Sequence, residues 1–201
     1  YEDPNSGNGQ SLAITETYGN NFMVGGYTYS TLTGSVGILR VVNQLGELLS
    51  TKTSNENGGL WGDIIYQVMK TKDNGYLLAG SIAENNNCGE ISNKSLWLCK
   101  LNPSLNVIWS RKYGNGNGSV SKAYGSDYYG PKCIILNTNE IVVLGSTFCT
   151  DGNGGGPDNI GEGKFLMKLD ATGNIETLNL IDISFPDYVK SFTDIEIGCG
   201  D

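Results

Sequence analysis

The sequence predicts an all-β chain in which one four-stranded unit is written three times. Three observations carry that reading. Gly is 29 of 201 residues and charged residues are 17%, a composition of short strands and tight turns rather than of helices. An apolar run closing on Gly recurs as Asn21–Tyr27, Gly75–Ser81 and Glu140–Ser146, with the glycine at positions 26, 80 and 145. A second run then closes on an Asn or Asp turn, as Ile38–Asn43, Trp97–Asn102 and Phe165–Asp170. No helical periodicity lasts beyond a turn or two.

The elements follow in a fixed order. First strands are Leu12–Thr17, Tyr66–Thr71 and Lys132–Asn137, and hairpin turns follow at Gly19-Asn20, Asp73-Asn74-Gly75 and Thr138-Asn139. The second strands, the Gly-closing runs, are apolar throughout and are expected to be buried on both faces. Their closing glycine suits a bend or a neighbouring backbone too close for a side chain. Loops Thr28–Val36, Ile82–Ser95 and Thr147–Gly163 come next and lengthen along the chain. Repeat proteins gather such insertions on one face, often the binding face. In the third strands a basic residue, Arg40, Lys100 or Lys168, is read as holding one shared position. Its expected partner is the Asp that opens the next unit, Asp127 for Lys100 and Asp187 for Lys168; a solvated strand-edge charge is the alternative. Fourth strands, Glu47–Lys52, Asn106–Arg111 and Asn174–Asn179, are polar and alternating, as outer edges should be. The resulting organisation is an N-terminal tether 1–9, repeats at 10–62, 63–126 and 127–186, and at 187–201 the first strand of a fourth unit.

Charge excludes two classes of partner. Thirteen basic residues against twenty-one acidic ones give a net charge of −8. No basic patch stands ready to neutralise nucleic-acid phosphates or an anionic membrane surface. No apolar run approaches the ~20 residues of a spanning helix. The chain starts at Tyr1, which reads as a processed or trimmed start.

The chemistry points away from catalysis. With no His in the chain, histidine-dependent acid–base work, triads and His metal sites drop out. The Gly-rich runs lack the Lys-Ser/Thr of a phosphate loop. Of five cysteines, Cys99 and Cys133 sit in apolar runs and are expected to be buried. Cys88 and Cys149 open equivalent loops and form a disulfide candidate, given Cα atoms within about 7 Å. Asp151, Asn153 and Asp158, on a Gly-rich loop, are a candidate oxygen-ligand set for Ca²⁺, against a plain polar loop; the spacing is not that of an EF-hand. No other cofactor is expected. Trp61, Tyr124, Tyr128 and Tyr129, flanked by Gly and Ser, are the candidate ligand-binding aromatics, the alternative role being to seal gaps between units.

The segments Thr71–Ser81, Leu98–Asn102 and Asn106–Trp109, with Phe165–Ile175 in the third unit, follow the pattern Asp-Gly-Gly-Tyr, Leu-Ala-Gly-Ser, Lys-Leu-Asp-x-x-Gly-Asn-Val-x-Trp. That unit resembles the repeats of secreted bacterial β-propellers, the surface and lipoprotein type common in Bacteroidetes-like bacteria. The resemblance spans roughly residues 10 to 200. The first unit departs from it by lacking the Asp and carrying Arg40, the third by Thr138-Asn139-Glu140 in place of Asp-Gly-Gly. The resemblance implies propeller blades, three complete and one begun, hence a partial propeller, because rings hold about four to eight blades. Further blades, or self-association, would cover the open blade faces. It also implies an extracytoplasmic protein, whether secreted, periplasmic or anchored at the outer surface. The expected function is a non-enzymatic binding or adhesion scaffold whose loops meet a glycan or protein at the cell surface. The alternatives are a non-catalytic part of a carbohydrate-active propeller enzyme, or a purely structural segment of a large surface protein.

Overall fold

The computed structural model describes residues 9–30, 34–54, 63–83, 94–113, 123–125, 130–148 and 163–181. They form strands and turns, with no α-helix among them. The first antiparallel sheet is β1 (Gly9–Glu16), β2 (Phe22–Ser30), β3 (Gly34–Val42) and β4 (Leu48–Thr53), in that order. The second is β5 (Ile64–Lys70), β6 (Tyr76–Ala83), β7 (Lys94–Leu101) and β8 (Val107–Tyr113). The third is β10 (Lys132–Ile135), β11 (Ile141–Phe148), β12 (Gly163–Leu169) and β13 (Ile175–Ile181), with the short β9 (Ala123–Gly125) also paired to β11. No helix among the described residues is long and apolar enough to cross a membrane.

Turn chemistry sets the register. Each described hairpin turn is a three-residue loop whose last residue has positive φ: Asn20, Asn74 and Asn139 in the first hairpins, Gly46, Leu105 and Gly173 in the last. Asn reaches this conformation at small cost and Gly at none. Leu105 (φ 61) is the exception, and its side chain packs against the core of its own body. In the last hairpins the leading Asn or Asp accepts backbone N–H groups: Leu45 and Glu47 donate to Asn43, Asn106 to Asn102, Thr172 and Asn174 to Asp170.

One irregularity recurs at the closing glycine. The β1–β2 pairing slips between Ser11 and Ala13, and the β5–β6 pairing between Ile65 and Gln67. Gly26 and Gly80 lie opposite those bulges, where a Cβ would overlap the Gln10 or Ile64 carbonyl oxygen. In the third sheet the first strand breaks at the same place. β9 ends at Gly125 opposite Ser146 and β10 resumes at Lys132 opposite Leu144. Gly145 is covered instead by the Phe165 ring, 2.5 Å from where a Cβ would stand.

Three expectations need correction. The loop read at Thr28–Val36 is strand on both sides of 31–33, with Tyr29 paired to Ser35 and Ser30 to Gly34, because backbone pairing continues past the apolar run. The third sheet has a fifth strand, β9, so its first strand is not one piece. Arg40 does not share a position with Lys100 and Lys168: it lies three residues before its turn Asn, they lie two before theirs. In a strand, one residue moves a side chain to the other face. The strand expected after Asp187 lies outside the described residues.

The chain divides into two compact bodies, 1–82 with 97–111, and 83–96 with 112–201. In the first, β5 packs across β1, β2 and β3. Met23 and Leu39 from the first sheet meet Ile65, Val68, Tyr76, Leu78, Trp97, Cys99 and Leu101 from the second in one buried cluster. Gly25 lets the sheets approach, since a Cβ there would come within 2.7 Å of Val68 and 2.8 Å of Ile65. Trp97 satisfies its indole N–H on Ser110 at 2.9 Å. β6 is buried from Tyr76 to Ile82, as its continuous apolar run requires. β4 and β13 are mostly exposed outer strands. In the second body Phe165, Met167, Leu169, Val143 and Cys133 are buried.

Candidate functional site

At the turn end of the first body, the β1–β2 and β5–β6 hairpins bring aromatic and charged side chains together. Thr17 fixes the first turn by accepting the N–H groups of Gly19 and Asn21 on its hydroxyl, at 3.3 and 3.1 Å. That presents Tyr18, which is 46% exposed. Its hydroxyl donates to the Thr71 carbonyl at 2.5 Å, and its backbone N–H donates to the Tyr76 hydroxyl at 3.3 Å. The two rings lie 5.7 Å apart and tilted, and the Lys70 ammonium stands 5.1 Å from the Tyr18 centroid, a cation–π geometry. Lys70 also faces the Glu16 carboxylate at 3.6 Å.

Beneath this surface lies a polar clamp. Lys100, on β7, is nearly buried and reaches across to donate to Thr71 Oγ1 at 2.5 Å and Asp73 Oδ1 at 2.6 Å. Thr71 in turn donates a hydrogen bond from its own hydroxyl to Asp73 Oδ1. Gly75 makes room for the lysine, since a Cβ there would overlap the Leu101 carbonyl oxygen and crowd the Lys100 Cε. Burial pushes the Asp73 carboxyl up, but the bonds from Lys100 and Thr71 outweigh it and hold the group below its ordinary value. Burial also raises the Tyr18 phenol, with Tyr76 and Asp73 adding to it. Tyr18 therefore stays a neutral donor.

Lys168 makes a corresponding clamp in the third sheet, to Glu140 at 2.5 Å and Glu176 at 3.1 Å. The partners of Lys100 and Lys168 thus come from their own sheets; Asp127 and Asp187 lie outside the described residues. So do Trp61, Tyr128, Tyr129, Asp151, Asn153, Asp158, Cys88 and Cys149. Tyr124 falls on β9, opposite Thr147. Among the described residues no three of Cys, Asp and Glu gather into a metal-sized group. Tyr18 and Tyr76 were not singled out in the sequence, although the signal was there: a Tyr in the first hairpin turn, flanked by Thr17 and Gly19.

No family profile matches this chain, and no curated protein matches it either. A solved structure of a protein of unknown function from Bacteroides caccae aligns over 92% of this chain and 72% of its own, at 14% identity and a TM-score of 0.33. A likeness of that size carries no argument about fold or function.

Proposed function

We propose that the chain is a non-enzymatic, extracytoplasmic binding module, a set of propeller blades that holds a glycan or protein partner. The observation that carries it is the half-exposed Tyr18, held by hydrogen bonds and edged by Glu16, Lys70 and Asp73. A fixed aromatic surface with donors and acceptors around it suits the apolar face and hydroxyls of a sugar ring, or an aromatic–cationic peptide contact. The blade reading draws on three sheets of like order with the same bulge or break at a closing glycine. The test is a glycan array and a surface-protein overlay with the chain and its Tyr18→Ala variant, with folding checked by circular dichroism. Binding lost in the variant supports the reading. Binding that survives in Tyr18→Ala, or no binding on either format, overturns this site.

A further inference from the structure

The first sheet has a face whose counterpart in the second sheet is buried, and a cation stands in the middle of it. Ile14, Val24 and Arg40 form one cross-strand row on β1, β2 and β3. They lie on the face opposite Met23, Gly25 and Leu39, which meet the second sheet. Counted from the hairpin turns, the same row in the second sheet is Val68, Leu78 and Cys99, exposed by only 5%, 0% and 0%. In the third sheet Arg40 corresponds to Met167, also fully buried. In the first sheet Ile14 is 66% exposed while Val24 and Arg40 are half-buried. Arg40 Nε is enclosed with no hydrogen-bond partner. Where the repeat elsewhere sets an apolar side chain under cover, this sheet sets a guanidinium whose Nε lacks an acceptor.

We propose that this face takes a second copy of the chain, with a carboxylate of that copy on Arg40. The inference rests on the repeat reading of the three sheets and not on glycan binding. The cover it requires is of the kind that the first sheet turns toward the second, an apolar row with small residues between. The third sheet carries a corresponding face: Val142 and Leu166 are half-buried there, beside Leu144, while Lys168, paired across from Val142, is held at the rim between the Glu140 and Glu176 carboxylates. One chain therefore bears both kinds of surface. Copies with a net charge of −8 repel each other in general, so a single Arg–carboxylate contact on an apolar face selects one orientation. Because covered and covering surfaces differ, the contact is head-to-tail and builds either a closed ring, of two copies or more, or an open chain.

Sedimentation velocity of the 201-residue chain across a wide concentration series tests this. The variants are Ile14→Glu and Arg40→Glu, with Arg40→Met as a control that keeps the apolar face. The expected result is concentration-dependent growth beyond the monomer, weakened at least tenfold in Ile14→Glu and Arg40→Glu. Arg40→Met should associate with less salt dependence. Tyr18→Ala should associate like the parent, which separates failure of this proposal from failure of the binding site. A chain that stays monomeric throughout, or whose association ignores both glutamate variants, overturns the proposal. Unchanged circular dichroism and thermal midpoint certify that each variant is folded.

Discussion

Lys52 donates from its ammonium to the backbone oxygen of Leu105, 2.9 Å away, and so ties β4 to the β7–β8 turn. Tyr113, on β8, makes the matching contact to Gly173 at 2.7 Å in the β12–β13 turn. Leu105 and Gly173 are both the positive-φ residue that closes a three-residue turn. Such a residue turns its carbonyl out of the hairpin ladder, so an outer strand can supply the donor. Replacing Lys52 by Met keeps the stem and removes the donor, and should cost about 1 kcal/mol. Tyr113→Phe leaves a buried carbonyl unpaired and should cost about 1–2 kcal/mol. Urea unfolding curves measure both; no change in either midpoint would sink the idea that these contacts tie turn to strand.

Gly25 is the point of closest approach between the first two sheets. Gly25→Val drives methyl groups into Val68 and Ile65 and should destabilise by about 1–3 kcal/mol. Adding Val68→Ala should return part of the loss. A double-mutant cycle reads the coupling, and additive losses would mean that the two residues do not meet.

The Lys100 clamp is asymmetric. Asp73→Ala leaves a nearly buried ammonium with only Thr71, whereas Lys100→Met removes the charge and keeps the stem. Asp73 is half-exposed, so solvent screening limits the loss to about 1 kcal/mol. Asp73→Ala should nevertheless be the more damaging change. Equal losses in thermal melts of the two variants would contradict the account.

Acid should weaken the fold through three carboxylates. Asp73 is lowered as described above, Glu140 is lowered by Lys168 and Thr138, and Asp170 falls to about 2 through the Asn174 and Thr172 bonds. A carboxyl depressed in the folded state adds stability above its unfolded value, about 4, and that contribution is lost as pH falls through the folded value. Thermal midpoints should therefore fall steadily from pH 5 to pH 2. Asp170→Asn, which keeps an acceptor, should flatten the lower end of that slope. An unchanged slope would show that Asp170 is not lowered.

Buried thiols should resist alkylation. Burial pushes Cys99 up to about 12 and Cys133 further still, which leaves almost no thiolate at neutral pH. Iodoacetamide labelling followed by peptide mass spectrometry should modify neither until the chain is denatured. Rapid native labelling of either would refute its placement in the core.

Local residues decide local geometry, and the sequence alone determined much of this protein. Three-residue turns at Asn or Gly, apolar second and third strands and polar outer strands place twelve of the strands in order, because each signal acts within a few positions. β9 leaves no such signal in the sequence, being three residues long and set apart from β10. Arg40 shares its charge with Lys100 and Lys168 but not their count from the turn, and with a period of two that count decides the face. Tertiary packing decided the rest. Lys100 meets Asp73, 27 residues earlier, Gly25 meets Val68, and Tyr18 meets Tyr76, 58 residues later. Those pairs are set by which sheet lies against which. Strand signals repeat alike in every unit, so they carry no record of which face is covered and which is left open.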